Sequence, residues 1–255
     1  MAKIGIFDSG VGGLSVMKEI LKVLPESSYI YFGDNANCPY GIKGPEFIVS
    51  RSRYITKFLL SRNVDVVVVA CNTATSYAVE TLRKEFSIPI IGTVPGVKPM
   101  AAETKTGIVG VLATFGTLNA PLYNRIRDKW GANVIVLEHI GQGFVELVES
   151  LELTGPKAEK IVRESIEPMI CKGADKLVLG CTHYPFLRDT ILKVANEIKP
   201  ITTPKIDVYD SAPAIARHLL TIIQENNIPV YENNPQIELI ASGSDDVLKK
   251  LYSLI

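Results

Sequence analysis

Two cysteines stand in closely similar stretches of this chain, one in each half. Asp65 begins one stretch, in which four valines and an alanine lead to Cys71. Asp175 begins the other, in which Lys-Leu-Val-Leu-Gly leads to Cys181. Each run is typical of a buried strand, and small hydroxyl or amide residues follow each cysteine at an expected strand-to-helix turn. Two thiols that face each other across a cleft can take a proton from one face of a carbon and return one to the other. The pair therefore predicts proton-transfer chemistry.

Each thiol needs help to become a thiolate. A thiol with the ordinary pKa of about 8.5 is only a few per cent ionised near neutral pH, so ionisation costs about 2 kcal/mol. His183, two residues after Cys181, is a candidate base for the second thiol, and Asp8, at the expected end of the first strand, for the first. The alternatives are a helix cap for His183 and a helix cap or loop hydrogen bond for Asp8.

Other polar residues follow the expected strands. Asn72, Thr73 and Thr182 offer donors that suit an amino acid, with helix capping as the alternative. The glycine-rich loop after Asp8 favours an anion, but it fits neither a P-loop nor a dinucleotide fingerprint, so a carboxylate is the better ligand. Asp34, like Asp8, could be a functional carboxylate or could form a helix cap or a loop hydrogen bond.

The remaining cysteines and histidines receive no catalytic role. Cys38 and Cys171 are interpreted as small buried hydrophobic residues, the commonest situation for a cysteine in an α/β core. His139 and His218 lie in or beside helical or strand patterns and are assigned to packing or solvent.

Composition narrows the class of ligand. The 255 residues are 47% hydrophobic and 21% charged, and 27 basic residues balance 27 acidic ones. This balance gives no reason to expect nucleic acid or an anionic membrane as partner, and no apolar run reaches the length of a membrane span. The N-terminus lacks the features of a secretory signal, so we predict a cytoplasmic protein that binds a small molecule.

Strand-like and helical patterns alternate along nearly the whole chain, which predicts an α/β fold with parallel sheets covered by helices on both faces. The predicted strands are 3–7, 29–32, 64–70, 89–92, 106–112, 133–137, 176–180, 206–209 and 237–241. The predicted helices are 15–24, 46–61, 75–86, 118–130, 157–171, 186–198 and 212–226.

The chain is predicted to form two α/β domains of similar architecture. A segment rich in Pro and Gly follows Gly92, and the strand after it resembles a restart of the first strand. We predict a first, discontinuous domain of residues 1–94 and 207–255 and a second domain of residues 95–206.

The motifs together resemble those of the glutamate racemase family, in the family's order and across nearly the whole chain. They are Asp8-Ser9-Gly10-Val-Gly-Gly-Leu14, Gly33-Asp34 with Pro39-Tyr40-Gly41, Cys71-Asn72-Thr73-Ala74-Thr75, Ala113-Thr114 with Thr117, and Leu179-Gly180-Cys181-Thr182-His183-Tyr184-Pro185.

The resemblance implies an isomerase that interconverts L- and D-glutamate without pyridoxal phosphate or metal and supplies D-glutamate for bacterial peptidoglycan. It also implies a homodimer and two domains related by a pseudo-two-fold axis, with the active site in the cleft between them. By family analogy Cys71 acts on the α-proton of D-glutamate and Cys181 on that of L-glutamate.

The resemblance also implies site residues. Asp8 assists Cys71 and His183 assists Cys181. The residues implied to bind the substrate are Asp8, Ser9, Tyr40, Gly41, Asn72, Thr73, Thr114, Thr117, Thr182 and His183. Glu149 lies where the family often has a glutamate that faces the pocket, with a solvated helix face as the alternative.

Three other functions stay open from the sequence. A related racemase or isomerase could act on aspartate, a hydantoin or maleate. A metal hydrolase could use Cys71, Cys181, His183 and Asp8 as ligands. A two-domain sensor could bind an anion without chemistry, because fold alone does not fix function.

Overall fold

The structure is a computed structural model that describes residues 2–200, 205–229 and 235–255. Their contacts divide the chain into two compact units. The first unit contains the described residues of Met1–Thr93 and Ala212–Ile255, and the second is Val94–Ser211.

The strands lie close to the predicted positions. In chain order they are β1 (Lys3–Asp8), β2 (Ser28–Gly33), β3 (Val66–Val69), β4 (Ile90–Gly92), β5 (Ile108–Ala113), β6 (Ile135–Ile140), β7 (Lys176–Gly180), β8 (Asp207–Asp210) and β9 (Ile237–Ala241).

The helices of the described residues include several that the sequence patterns did not predict. They are α1 (Leu14–Val23), α2 (Pro45–Ser61), α3 (Asn72–Glu85), α4 (Val97–Glu103), α5 (Phe115–Leu118), α6 (Pro121–Trp130), α7 (Phe144–Glu149), α8 (Pro156–Ile170), α9 (Arg188–Ile198), α10 (Ala212–Glu225) and α11 (Asp246–Tyr252). Short 3-10 helices cover Asn35–Asn37, Tyr40–Ile42 and Tyr184–Leu187.

A parallel sheet forms the centre of the first unit. Its strand order is β4-β3-β1-β2-β9, and every neighbouring pair is parallel. All four valines of β3 are buried, as expected for a central strand with both faces covered. Helix α1 packs against α10, and α2 packs against α3. The carboxyl ends of the strands therefore lead into loops at one edge of a sheet whose central strands are buried.

A second parallel sheet forms the centre of the second unit, in the order β6-β5-β7-β8. The first four strands of the first unit are arranged as β2-β1-β3-β4, which is the same order when β5 is matched to β1. The first unit adds β9 beside β2. The sheets thus share one topology, and the cysteine-bearing strands β3 and β7 occupy equivalent places in it.

The aspartates that begin the two cysteine stretches hold equivalent places. Asp65 accepts a hydrogen bond at 2.7 Å from the backbone N–H of Lys3, at the start of β1. Asp175 accepts one at 2.8 Å from the backbone N–H of Lys105, just before β5. Each carboxylate therefore ties the strand that carries a thiol to the beginning of its neighbour.

The contacts place the return of the chain to the first unit five residues after the predicted boundary at 206/207. Strand β8 pairs with β7 in the sheet of the second unit, and the chain returns to the first unit after Ser211. The Ser211 hydroxyl donates to the carbonyl of Val94 at 2.8 Å, so the first and last residues of the second unit lie side by side. Residues 230–234 of the predicted first domain lie outside the described residues, as does Met1.

One further difference concerns a helix. The predicted helix 118–130 is two helices, because Pro121 cannot donate a helical N–H and starts α6 anew at its first position. Within the described residues, no helix is both long enough and apolar enough to cross a bilayer.

Candidate active site

The first thiol lies at a helix N-terminus. Cys71 follows β3 and is the N-cap of α3, where its Sγ accepts a hydrogen bond from the backbone N–H of Ala74 at 3.4 Å. The thiol is 3.6 Å from the Ser9 hydroxyl, and only 5% of the residue is exposed. The positive end of the helix dipole and the N–H donor both favour a negative charge on this sulfur.

Asp8 ends β1, the strand next to β3, and is fully buried. Its Oδ1 accepts a hydrogen bond from the backbone N–H of Gly10 at 2.8 Å, so the loop hydrogen bond considered as an alternative is present. Asp8 does not cap α1, whose N-cap is Gly13. A Cβ atom at Gly13 would lie 2.8 Å from the Cβ of Asp8, so glycine permits the close approach of this loop.

A loop beyond β2 brings Asp34 and Tyr40 together. Asp34 is buried and accepts hydrogen bonds from Arg51, from the Tyr40 hydroxyl at 2.6 Å and from Asn37. Burial alone would raise the pKa of the Asp34 carboxyl, but these hydrogen bonds outweigh burial and lower it. The pKa of Tyr40 is raised, first by burial and then by Asp34, so the phenol stays neutral. Gly41 follows in the same turn and is also buried.

Asn72 and Thr73 occupy the first turn of α3 and are both buried. The amide nitrogen of Asn72 has no hydrogen-bond partner among the described residues. A buried donor without a partner is costly unless a ligand or water satisfies it. Asn72 is therefore suited to donate to a bound molecule, while the side chain that caps this helix is Cys71.

The second thiol lies beside an imidazole. Cys181 follows β7 and is 8% exposed, and its Sγ is 3.8 Å from Nδ1 of His183. The other ring nitrogen, Nε2, is 2.8 Å from Oε1 of Glu149 at the end of α7. A carboxylate on one nitrogen orients the ring and supports its positive charge, so that the other nitrogen can exchange a proton with the thiol. The His183 side chain makes no capping hydrogen bond.

The remaining predicted residues of the second unit are Thr114, Thr117 and Thr182. Thr114 is the N-cap of α5, and its hydroxyl is 3.0 Å from that of the buried Thr117. Thr182 is also buried, directly after Cys181. Three hydroxyls thus lie at the carboxyl ends of the neighbouring strands β5 and β7.

Buried Tyr184 lies beside the same loop. Burial is the largest cause that raises its pKa, followed by the charges of Cys181 and Glu146. Its hydroxyl donates to the Gly141 carbonyl at 3.3 Å. The ring therefore supports the loop after Cys181 as a neutral side chain.

The structure corrects the interpretation of two cysteines. Cys171 is exposed because it lies at the end of α8, and Cys38 is only half-buried because it lies in the loop after β2. Neither is a core residue. His139 lies in β6 and His218 is exposed on α10, away from the strand ends that carry the thiols.

Two residues of these surroundings were missed or left open by the sequence. Arg51 lies in a helix with an ordinary amphipathic pattern, and nothing in that pattern indicates its bond to Asp34. Glu149 was considered as a pocket residue or a solvated one, and the structure places it on His183. The signal available for Glu149 was the family resemblance.

Comparisons with known proteins agree with these motifs. Residues 4–219 match the family model described as Asp/Glu/Hydantoin racemase. The chain is 42% identical to a glutamate racemase of Methylococcus capsulatus over 253 residues, which are 99% of this chain and 91% of that protein. A glutamate racemase of Herpetosiphon aurantiacus is also 42% identical, over 94% of this chain and 92% of its own length.

Solved structures give the same result for the fold. Glutamate racemase isoform RacE1 from Bacillus anthracis is 34% identical, with a TM-score of 0.85 over 99% of this chain and 93% of its own. The Escherichia coli glutamate racemase, solved with L-glutamate and the activator UDP-MurNAc-ala, is 31% identical, with a TM-score of 0.85 and the same two coverages. The expected fold of two parallel-sheet α/β units is thus confirmed. The chain belongs to the Asp/Glu/hydantoin racemase family and is an isomerase.

Proposed function

We propose that this chain is a glutamate racemase that uses two cysteines and no cofactor. The observation that carries the proposal is the matched placement of Cys71 and Cys181, each buried at the carboxyl end of the equivalent strand of its sheet. Relatives named glutamate racemase, at 42% identity over nearly the whole chain, favour glutamate over aspartate, hydantoin or maleate as substrate.

The proposed reaction is a transfer of one proton in and one proton out at the α-carbon. One thiolate removes the α-proton: the C–H bond breaks, an S–H bond forms, and the electron pair stays on carbon as a carbanion. The other thiol gives its proton to the opposite face, so its S–H bond breaks and a new C–H bond forms. Exchange of protons with water then restores the starting state of both sulfurs.

The two units supply different help for these steps. Cys71 has the N-terminus of α3 and the neighbouring Asp8, while Cys181 has His183 and Glu149. We assign Cys71 to the α-proton of D-glutamate and Cys181 to that of L-glutamate, as the family resemblance implies. The step requires both sulfurs to reach one α-carbon from opposite faces.

The substrate is proposed to be held by hydroxyl and amide groups of both units. Ser9, Tyr40, Gly41, Asn72 and Thr73 supply the first unit's contacts. The second unit contributes Thr114, Thr117, Thr182 and His183. The amide of Asn72, which has no partner in the described part of the chain, is the strongest single argument for a bound polar group, because a donor buried in this way needs an acceptor.

In the cell, the proposed product D-glutamate would serve bacterial peptidoglycan synthesis. We propose a cytoplasmic enzyme that acts as a homodimer. Sedimentation of the purified protein would test the dimer, and complementation of a D-glutamate auxotroph would test the cellular role.

The first test is proton NMR of the purified protein with L-glutamate in D2O, with chelator and without added pyridoxal phosphate, followed by chiral analysis. We expect the α-proton signal to disappear while D-glutamate accumulates. Activity that requires added zinc would favour the metal hydrolase or another metal enzyme. Folded protein that leaves the signal unchanged would refute the proposal, and the same assay with aspartate and then a ligand-binding assay would follow.

A further inference from the structure

The carboxylate of Asp34 is fully occupied by protein donors. Arg51 binds it in a fork, with Nε 2.7 Å from Oδ2 and Nη2 2.7 Å from Oδ1. The Tyr40 hydroxyl donates to Oδ2 at 2.6 Å, and the Asn37 amide donates to Oδ1 at 3.1 Å. A carboxylate accepts about four hydrogen bonds. Asp34 is thus suited to organise its surroundings rather than to bind substrate or remove a proton.

This carboxylate is linked to the surroundings of the first thiol through Asp8 and Tyr40. The backbone N–H of Asp34 donates to the carbonyl of Asp8 at 3.0 Å. The 3-10 helix that begins at Tyr40 contacts α3, the helix capped by Cys71. Charge at Cys71 is also one of the smaller causes, after burial and Asp34, that raise the pKa of Tyr40. Tyr40 is therefore influenced electrostatically by both Asp34 and Cys71.

The charge of Asp34 would oppose a thiolate at Cys71 if it were not compensated. The Asp34 side chain is 0% exposed, so water does not screen it, while the Arg51 side chain is 24% exposed. Around Cys71 in this unit, β1 supplies the carboxyl of Asp8, the 3-10 helix supplies the phenol of Tyr40, and α3 supplies its positive end. Among the described residues, Arg51 is the cation that forms an ion pair with Asp34.

We propose that Arg51 is a positioning residue. It holds Tyr40 through Asp34 and neutralises the buried carboxylate of Asp34. Here the half-site of each thiol means the cysteine with the groups around it, which for Cys71 include Asp34 and Tyr40. Without the guanidinium, the negative charge of Asp34 would disfavour the Cys71 thiolate, and the segment from Asn37 to Gly41 would lose its anchor. The kinetic part of this inference rests on the proposed racemase function, whereas the electrostatic part does not.

The chain offers a matched control for Arg51. Arg53 lies on the same helix and binds Glu85 in the same forked geometry, with contacts of 2.6 and 2.7 Å. Both members of that pair are about one-third exposed, and Glu85 lies at the end of α3 far from its capped start. Arg53→Gln thus removes the same kind of ion pair without touching Asp34.

The experiment measures alkylation of each cysteine by iodoacetamide across a pH series, resolved by mass spectrometry of peptides. We expect Arg51→Gln to raise the pH midpoint for Cys71 by about half a unit or more and to leave that of Cys181 unchanged. Arg53→Gln should change neither midpoint. An unchanged Cys71 midpoint in folded Arg51→Gln, or an equal shift with Arg53→Gln, would overturn the inference.

Arg51→Lys separates charge from geometry and serves if Arg51→Gln does not fold. Lysine keeps the charge but lacks the forked donors, so we expect an alkylation midpoint for Cys71 like that of the wild type. The KM for glutamate should rise about threefold or more, with a smaller change in kcat. A wild-type KM would overturn the positioning role. A wild-type enzyme inactive on glutamate would instead refute the proposed function, and the alkylation series would still test Arg51.

Discussion

The two thiol sites share one architecture and differ in how each favours a thiolate. Cys71 and Cys181 end equivalent strands in sheets of the same order, and an aspartate six residues earlier ties each strand to its neighbour. Around Cys71 the help comes from a helix N-terminus and the N–H of Ala74, together with the carboxyl of Asp8 that we propose assists this thiol. Around Cys181 it comes from side chains, His183 and Glu149. The same strand order thus positions two thiols whose ionisation is favoured by different groups.

This difference has a chemical consequence. A helix N-terminus stabilises negative charge at any pH, whereas an imidazole can also accept or donate the proton itself. The half-site of Cys71 therefore combines a helix N-terminus with a carboxyl group, while the imidazole in the half-site of Cys181 can relay a proton. Substitutions that act on one half-site at a time can test this difference.

The largest effect is expected from the thiols themselves. Cys71→Ser or Cys181→Ser should each lower racemisation roughly 1000-fold or more in both directions, because a serine hydroxyl is a far weaker acid than a thiol. Coupled chiral assays starting from each enantiomer measure this loss. Cys171→Ser, at an exposed cysteine, is the control and should keep full activity. Substantial racemase activity in Cys71→Ser or Cys181→Ser would refute the two-thiol mechanism.

The next effect should distinguish the half-sites. His183→Asn should lower kcat for L-glutamate about 100-fold, and Glu149→Gln about tenfold, since the carboxylate acts on the thiol only through the ring. The exposed His218 provides the control variant His218→Asn, which should behave as wild type. The pH dependence of kcat in each direction would test the assignment. Equal losses for His183→Asn and His218→Asn would contradict the relay.

The smallest effect concerns the two tethering aspartates. Asp175 accepts from the hydroxyls of Thr104 and Thr106 as well as from the N–H of Lys105. Burial alone would raise its pKa, but these donors lower it below the ordinary value of 3.8. Asp175→Asn should thus destabilise the second unit by about 2 kcal/mol at neutral pH. Asp65→Asn, which removes one such contact, should cost less.

The stability contributed by the Asp175 carboxylate depends on pH. A carboxyl whose pKa is lowered in the folded state contributes stability above its unfolded pKa, and this contribution is lost as the pH falls through the folded value. The difference between wild type and Asp175→Asn should therefore shrink below about pH 4. Hydrogen exchange resolved by peptide measures each unit separately. A constant difference down to pH 2 would show that the carboxylate's charge is not responsible.

The sequence predicted what depends on local pattern. The valines of β3 and the apolar run of β7 indicated buried strands, and the residues after each cysteine indicated a turn. Because parallel strands bring their carboxyl ends to one edge of a sheet, this was enough to place each thiol within its own unit.

Contacts between distant segments were not accessible in the same way. The segment Asp207–Asp210 has no local feature that tells which sheet it joins, so its pairing with β7 could not be predicted from the sequence. Helix α7 is too short for a periodic pattern, and the bond between Glu149 and His183 spans 34 positions. Arg51 received no role from the sequence because its partner Asp34 lies 17 positions away, in the loop after β2.

The hydrogen bond between Ser211 and Val94 has a consequence for how this protein could have arisen and can be rebuilt. A segment whose ends meet can be inserted into, or removed from, another chain without stretching either one. Val94–Ser211 has this property, and its strand order repeats that of its host. Gene duplication followed by insertion of one copy into the other would produce this arrangement. For protein engineering, the same feature makes residues 94–211 a natural cassette for exchange between homologues.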